Sequence, residues 1–281
     1  MRSFNVLFIF LLIFVFANCS PVKFTKINPD SKAQAFTEPT QDSSQPIKAI
    51  ECGQDSIEMP IKVLFVIDTS GSNSISYGAS NGVCDGRSGC VPATDPQKNF
   101  RAGSISTFFN KYKNRTNFSW GFETFSKREV QSYIGSNTSE IFGRAQAMEA
   151  ALNSFSKEID RGKTPYLEAL KNIRTAISSD PDLHSMAPYP TLYYVIFMSD
   201  GYPTDSTASE INKEIENIVA LDRTRISLST VYYSTLNDPH ASAILQTMAE
   251  RGGGQFINFD INSDETLSVQ DLVKLPTTTC Q

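Results

Sequence analysis

The chain has 281 residues, of which 40% are hydrophobic and 20% are charged, and its formal net charge is −5. This length is sufficient for one large hydrophobic core. The acidic balance argues against nucleic acid and anionic membrane surfaces as partners, because both attract basic proteins.

The N-terminus has the composition of a targeting signal. Arg2 gives a short basic start, residues 6–17 form a nearly unbroken apolar run, and Asn18-Cys19-Ser20 follow. Twelve apolar residues are too few to span a membrane as a helix and are typical of a secretory signal. We therefore expect residues 1–18 to be a signal peptide and the protein to be exported. Removal of the signal leaves 24 basic and 30 acidic side chains.

Cys19 bears on whether the exported chain is anchored to a membrane. Its position directly after the apolar run resembles that of the lipidated Cys in bacterial lipoprotein signals. Asn18 stands where these signals usually have Gly or Ala, and Phe16 where they usually have Leu. Cleavage near Ala17 by an ordinary signal peptidase is therefore the alternative. The prediction is lipidation at Cys19, which anchors the protein to a membrane of the cell envelope, in the periplasm or at the cell surface.

A flexible tether is expected over residues 19–51. This segment is rich in Pro, Ser, Thr, Gln and Lys and has no apolar periodicity. About 30 flexible residues have a root-mean-square reach of roughly 30 Å, which is enough to lift a domain off a membrane. Residues 52–281 are then predicted to form one domain.

From Pro60 onward, apolar runs typical of strands alternate with segments of helical spacing. Strands are expected near 61–67, 118–122, 130–134, 192–198, 226–233 and 255–259. Helices are expected near 96–113, 148–159, 167–177, 207–221, 239–251 and 264–274. The second and third strands are expected to form an antiparallel edge hairpin. The alternation predicts an α/β fold with a doubly wound, mostly parallel central sheet, one antiparallel edge strand and helices on both faces.

Two of the strands end in loops that carry side-chain oxygens. Residues 63–67 lead into Asp68, Ser70 and Ser72, and residues 194–198 lead into Asp200. If the two strands lie side by side and parallel, their carboxyl ends bring these side chains together, where open α/β sheets bind ligands. Two close carboxylates repel each other unless a cation lies between them. An all-oxygen cluster suits Mg²⁺, Mn²⁺ or Ca²⁺.

With a third loop added, the motif order resembles that of a von Willebrand factor A-type domain with its metal-ion-dependent adhesion site. The matching residues are Asp-x-Ser-x-Ser at 68–72, Thr164 after a Gly-containing turn, and Asp200-Gly201 after the central strand. The resemblance covers about residues 59–275. It implies that Asp68, Ser70, Ser72, Thr164 and Asp200 bind a divalent cation, with Mg²⁺ expected and Mn²⁺ or Ca²⁺ as alternatives. It also implies an open coordination position for a partner's Glu or Asp. Thr164 as a simple helix N-cap is the alternative for that residue.

Four further cysteines, Cys52, Cys84, Cys90 and Cys280, are an even number in a disulfide-permissive compartment, and three pairings are possible. We prefer Cys84–Cys90, which closes a short loop, together with Cys52–Cys280, which joins the two ends of the domain. Some members of the resembled family join their ends in this way, which favours the second pairing. Thiolate ligation of a metal is disfavoured because the chain has no Cys-x-x-Cys motif.

Residues 73–94 are an insertion relative to the family pattern, in which the first helix begins soon after the metal loop. We expect this insertion to project from the rim of the metal face. It is either an inert loop or an element that selects the partner.

The predicted function is metal-dependent protein binding, in adhesion or as an envelope scaffold, by a monomer without enzymatic activity. One alternative is a structural domain for envelope or fibre assembly with little metal dependence. The other is a Mg²⁺-dependent hydrolase, because oxygen-lined metal sites also serve phosphoryl chemistry. Against an enzyme, the chain has no P-loop and no His-Glu-x-x-His motif, and it has only two His residues.

Overall fold

The computed structural model describes residues 59–76, 89–127, 129–135, 140–235, 238–263 and 266–275. All of them belong to the compact unit Cys52–Gln281. The signal peptide, Cys19 and the tether lie outside the described residues, so the expectations for them stay predictions.

The described domain is built on one six-stranded sheet. Its strands are β1 (Ile61–Asp68), β2 (Phe118–Ser126), β3 (Glu129–Ser132), β4 (Leu192–Ser199), β5 (Ile226–Ser234) and β6 (Gly253–Asp260). Their order across the sheet is β3-β2-β1-β4-β5-β6, and every neighbouring pair is parallel except β2 and β3. The predicted sheet with one antiparallel edge strand is therefore confirmed. The expected hairpin is present, but only β3 is an edge strand, because β2 also pairs with β1.

Helices cover both faces of this sheet. They are α1 (Asn99–Tyr112), α2 (Ala145–Phe155), α3 (Tyr166–Ser178), α4 (Ala208–Val219) and α5 (Pro239–Arg251). The side chains of Val63 and Phe65 alternate along β1 with those of Leu64 and Val66, and the two sets belong to two separate hydrophobic clusters. Helices α1 and α2 contribute to the first cluster, and α3, α4 and α5 contribute to the second. This two-sided burial explains the continuous apolar runs of the central strands.

The chain changes direction between β1 and β4, the two strands at the middle of the sheet. After β1 it passes through α1 to β2 on one side, and after β4 it passes through α4 to β5 on the other side. Such a switch point leaves a crevice at the carboxyl ends of the two strands, where ligands bind in this class of sheet. The register pairs Ile67 with Met198, so Asp68 and Ser199 end the two strands side by side. None of the helices in the described ranges has the length and apolar character needed to cross a membrane.

Two expected helical segments differ from the structure. The helix expected over 148–159 ends at Phe155, where the backbone continues in turns, and Ile159 lies beyond it with 76% of its surface exposed. The helix expected over 264–274 is reduced, within the described residues 266–275, to a 3₁₀ turn at Val269–Leu272. In the first segment the apolar spacing continues past Phe155, the point at which the chain leaves the helical conformation.

A pair of glycine substitutions tests the packing of β6 against β5. A Cβ at Gly254 would lie 2.2 Å from the carbonyl oxygen of Leu228, whereas a Cβ at Gly103 in α1 would meet nothing within 4 Å. We expect Gly254→Ala to lower the free energy of unfolding by about 1–3 kcal/mol, because backbone atoms must shift to admit the methyl group. Gly103→Ala is the control and should stabilise the helix by about 0.5–1 kcal/mol. Denaturant unfolding measures both, and equal effects of the two substitutions would contradict the close strand approach.

Candidate metal centre

Asp68, the last residue of β1, is fully buried and both of its carboxylate oxygens accept hydrogen bonds. The backbone N–H of Ser70 donates to Oδ1 at 2.7 Å. The hydroxyl of Ser199, at the end of β4, donates to Oδ2. These contacts fold the 68–72 loop back over the end of its own strand and join it to the neighbouring strand.

A chain of side-chain oxygens runs from this loop to Asp200. The hydroxyl oxygens of Ser70 and Ser72 are 3.0 Å apart, and the Ser72 hydroxyl donates to Asp200 Oδ1 at 2.8 Å. The Asn73 amide also donates to Asp200 Oδ1, at 3.3 Å, and the Tyr233 hydroxyl holds that amide by donating to its oxygen at 2.9 Å. The structure therefore brings together the four predicted ligands on these two loops. Sequence reasoning missed Asn73 and Tyr233, which hold the Asp200 carboxylate in place.

Thr164 approaches the same point from a third loop. A Cβ at Gly201 would lie 3.8 Å from the Thr164 hydroxyl oxygen and 3.9 Å from the Ser72 hydroxyl oxygen, so both hydroxyls face the Asp200-Gly201 turn. The backbone of the third loop is held to the first, because the N–H of Gly71 donates to the carbonyl of Gly162 at 3.0 Å. All five predicted ligands thus converge at the carboxyl ends of β1 and β4.

The start of α3 is capped by a residue other than Thr164. The N-cap position is Pro165, and no side-chain cap hydrogen bond is made from it. The first free backbone N–H groups, those of Leu167 and Glu168, donate instead to the carboxylate of Asp205. The alternative role of Thr164 as the N-cap is therefore wrong, and its hydroxyl makes no hydrogen bond to a described residue.

The two carboxylates share a poorly solvated site. Burial, and after it the charge of the nearby Asp200, raise the pKa of Asp68 to about 7. Burial also raises the pKa of Asp200, against hydrogen bonds that lower it. Asp200 Oδ2 is buried and makes no hydrogen bond to the described chain, a state it shares with Glu123 Oε2 and Asp160 Oδ1. Two carboxylates and three hydroxyls fit a hard divalent cation, and no group of three or more His, Cys, Asp or Glu residues forms another metal site in the described ranges.

A second buried charge network supports the metal loop and is electrically balanced. The Arg101 side chain is fully buried and donates to the carbonyl oxygen of Asp68 at 2.6 Å, to the Asp95 carboxylate at 3.0 Å and to the Asp160 carboxylate at 2.7 Å. Lys98 Nζ lies 3.0 Å from the same Asp160 carboxylate. Two cations therefore match two carboxylates in this network, whereas in the metal centre only the more remote attraction of Arg101 acts on Asp200 and lowers its pKa.

The insertion begins and ends beside the metal loop. The N–H of Thr94 donates to the carbonyl of Ser72 at 3.0 Å, and the N–H of Asp95 donates to the carbonyl of Asn73 at 3.1 Å. Residues 77–88 lie outside the described residues, as do Cys52, Cys84 and Cys280. Both disulfide pairings stay predictions.

The two histidines lie on the exposed surface, His184 in a 3₁₀ turn and His240 in α5. Neither imidazole is hydrogen-bonded to a serine hydroxyl or an aspartate carboxylate of the described chain, and that of His184 contacts the carbonyl of Ser178.

Comparison with solved structures identifies the fold. The chain is similar to a von Willebrand factor type A protein from Catenulispora acidiphila, with 13% identity and a TM-score of 0.51, over 76% of this chain and 41% of that one. It is also similar to proximal thread matrix protein 1 from the mussel byssus, solved with a zinc-occupied MIDAS motif, with 13% identity and a TM-score of 0.50, over 76% of this chain and 45% of that one. The chain thus spans less than half of either solved protein. No protein-family model matches the chain, and no curated protein matches it. The expected von Willebrand factor A-type fold is confirmed.

The raised pKa values predict a pH-dependent loss of stability in the metal-free protein. Asp68 ionises near pH 7 in the folded state but near 3.8 when unfolded. Between these two pH values the folded state holds a proton that the unfolded state has released. The free energy of unfolding should therefore fall as the pH rises through this window. The buried Glu123, with a pKa of about 7, and Asp200 act in the same direction.

Denaturant unfolding in EDTA at several pH values between 5 and 8 measures this loss. Asp68→Asn should be more stable than the unaltered chain at pH 8, because it removes one buried charge. Glu123→Gln separates the contribution of that carboxyl group, which lies on the adjacent strand β2. An Asp68→Asn variant that loses as much stability with rising pH as the unaltered chain would refute the electrostatic account.

Proposed function

We propose that the protein is a metal-dependent protein-binding module, which holds a divalent cation and presents it to a Glu or Asp of a partner protein. The pairing of two buried carboxylates carries this proposal, because a cation between Asp68 and Asp200 would relieve their repulsion, and Asp200 Oδ2 makes no hydrogen bond that would occupy it. The cation is Mg²⁺, with Mn²⁺ or Ca²⁺ as alternatives. The zinc in the MIDAS motif of proximal thread matrix protein 1 supports a divalent cation at this place in the fold.

The five proposed ligands contribute in different ways. Asp200 supplies a free carboxylate oxygen, whereas both Asp68 oxygens already accept hydrogen bonds, so Asp68 acts mainly through its charge. Ser72 donates its proton to Asp200 and leaves its oxygen lone pairs available. Ser70 and Thr164 add neutral oxygens. The only charged groups in the ligand set are therefore the two carboxylates. A divalent cation held there would supply the local positive charge that attracts a partner carboxylate.

The setting of the module follows from the N-terminal sequence. A signal peptide over residues 1–18, lipidation at Cys19 and a tether over residues 19–51 would place the domain in the cell envelope, in the periplasm or at the cell surface. There it would act as a monomer in adhesion or as a scaffold. The acidic chain argues against nucleic acid as a partner, and neither exposed histidine has the surroundings of a catalytic base.

Thermal and chemical unfolding of the purified full-length chain with Mg²⁺ or EDTA tests the metal role. At a hundredfold excess of Mg²⁺ over its dissociation constant, the free energy of unfolding should rise by about 2.7 kcal/mol. Asp200→Asn should abolish this rise because it removes the charge that the cation compensates. Asp238→Asn is the matched control, since Asp238 caps α5 and Asn caps helices equally well.

Full metal response in Asp200→Asn would refute the site. Absence of any response in the unaltered chain, with Mg²⁺, Mn²⁺ or Ca²⁺, would favour the structural alternative for envelope or fibre assembly.

A further inference from the structure

Four exposed cations form a basic rim beside the metal centre. They are Lys127 in the turn between β2 and β3, and Lys157, Arg161 and Lys163 in the loop between α2 and α3. Backbone contact joins the two segments, because the N–H of Lys127 donates to the carbonyl of Lys163 at 2.8 Å. Lys127, Lys157 and Arg161 line a cleft of about 320 Å³, and Lys127 and Lys163 line a neighbouring cleft of about 360 Å³.

The basic rim is tied directly to the metal loops. The N–H of Arg161 donates to the carbonyl of Thr69 at 2.8 Å, and Lys163 immediately precedes Thr164. Gly162 has a φ of +85°, and a Cβ there would lie 2.2 Å from Lys127 Cγ, so the Lys127 side chain passes over this glycine. Lys127 and the backbone of residues 161–163 therefore keep a defined place along one side of the centre.

The charges of the basic rim are available to a partner. None of its four cations forms a salt bridge with an acidic residue in the described parts of the chain. Asp160 lies between them in sequence, but its carboxylate points inward to Arg101. The same clefts contain the exposed Glu129, Glu168 and Asp205, and Glu158, whose carboxylate accepts the Tyr133 hydroxyl. In a chain of net charge −5, unpaired cations at this position favour an anionic ligand.

Exposed apolar side chains on the same face favour a protein as that ligand. The structure has five exposed large hydrophobic residues in its described parts, and Ile75, Ile159 and Tyr202 lie on the three loops that carry the metal ligands or lead into them. Met186 and Tyr189 precede β4 and lie at the opposite end of the sheet. Apolar and aromatic side chains concentrate at the centre of protein–protein interfaces, so this face suits a polypeptide better than a polyanion without apolar groups.

We propose that the partner offers an acidic segment, in which the carboxylate that reaches the cation is flanked by further Asp or Glu residues that pair with the basic rim, and by apolar residues that contact Ile159 and Tyr202. This inference rests on the proposed metal-dependent function and adds the chemistry of the partner. Every segment with a Glu or Asp could supply the single metal ligand, so the metal alone does not distinguish such segments. The basic rim would favour those with further acidic residues.

Three labelled 15-residue peptides probe the preference on the purified full-length chain. Each has one central Glu and two Leu residues, and four flanking positions are Asp in the acidic peptide, Asn in the neutral peptide and Lys in the basic peptide. In Mg²⁺ at low salt, fluorescence anisotropy should give the acidic peptide an affinity about tenfold above that of the neutral peptide, since several charge pairs add. The basic peptide should bind most weakly. Added salt should reduce these differences, and EDTA should abolish binding of all three.

Charge reversal separates the basic rim from the metal centre. The double variant Lys127→Glu, Lys157→Glu should lose the preference for the acidic peptide and keep the stabilisation by Mg²⁺. Lys274→Glu is the matched control, because Lys274 is an exposed cation that follows the 3₁₀ turn at Val269–Leu272, away from the metal loops. It should bind the three peptides as the unaltered chain does.

Several outcomes would overturn the inference while leaving the metal role intact. They are equal affinity for the acidic and neutral peptides, a preference that survives charge reversal, and failure of every peptide to bind the Mg²⁺-stabilised protein. Heparin that binds more tightly than the acidic peptide and remains bound in EDTA would instead identify a surface for polyanions. If Mg²⁺ fails to stabilise the unaltered chain, the proposed function itself is refuted.

Discussion

The repulsion between the buried carboxylates of Asp68 and Asp200 is the interaction on which the rest of the structure depends. Asp68 ends β1 and Asp200 follows the last residue of β4, at the middle of the sheet, where burial raises the pKa of each. The fold tolerates this pair by surrounding it with donors, the N–H of Ser70 and the hydroxyls of Ser72 and Ser199. These donors leave Asp200 Oδ2 without a hydrogen bond in the described chain, so this oxygen is available to a cation. A site that folds while incompletely compensated gains stability when a cation binds.

The neighbouring Arg101 network shows how the same region holds charges that need no external ion. Its carboxylates, Asp95 and Asp160, lie against Arg101 and Lys98, and removal of one member would leave a buried charge unpaired. The Arg101 guanidinium also donates to the carbonyl of Asp68, which ties α1 to the end of β1. One network is therefore a fixed support, and the other is the proposed binding site. The difference between them is the balance of charge, since both are buried to a similar degree.

Apolar runs are properties of short segments, so local patterns were sufficient to predict the strands and the sheet. The order of three loops, through the family resemblance, predicted the five side chains that the structure brings together. The supporting residues could not be predicted in this way. Arg101 and Asp160 are 59 residues apart. The sequence does not distinguish an Arg and an Asp that form a buried ion pair from an Arg and an Asp on the surface. Ile159 was misplaced for a related reason. Its spacing continues the helix, but the chain must turn after Phe155 to bring the N–H of Arg161 to the carbonyl of Thr69. Such long-range contacts end helices that local spacing would extend.

The net charge of the chain and the charge near the site act over different distances. Charges separated by more than about 8 Å are largely screened at physiological ionic strength, so a small acidic segment responds mainly to the nearest groups. Without a cation these include Asp68 and Asp200 as well as the basic rim, and the opposing charges partly cancel. A bound divalent cation would offset the two carboxylates, and the local potential would then depend on the basic rim and on the acidic residues that share its clefts. Metal binding would thereby supply a coordination position and also make this face attractive to an acidic partner. An extended polyanion would also lie against the acidic remainder of the surface, which repels it. A short acidic segment of a protein contacts only the rim and is therefore favoured.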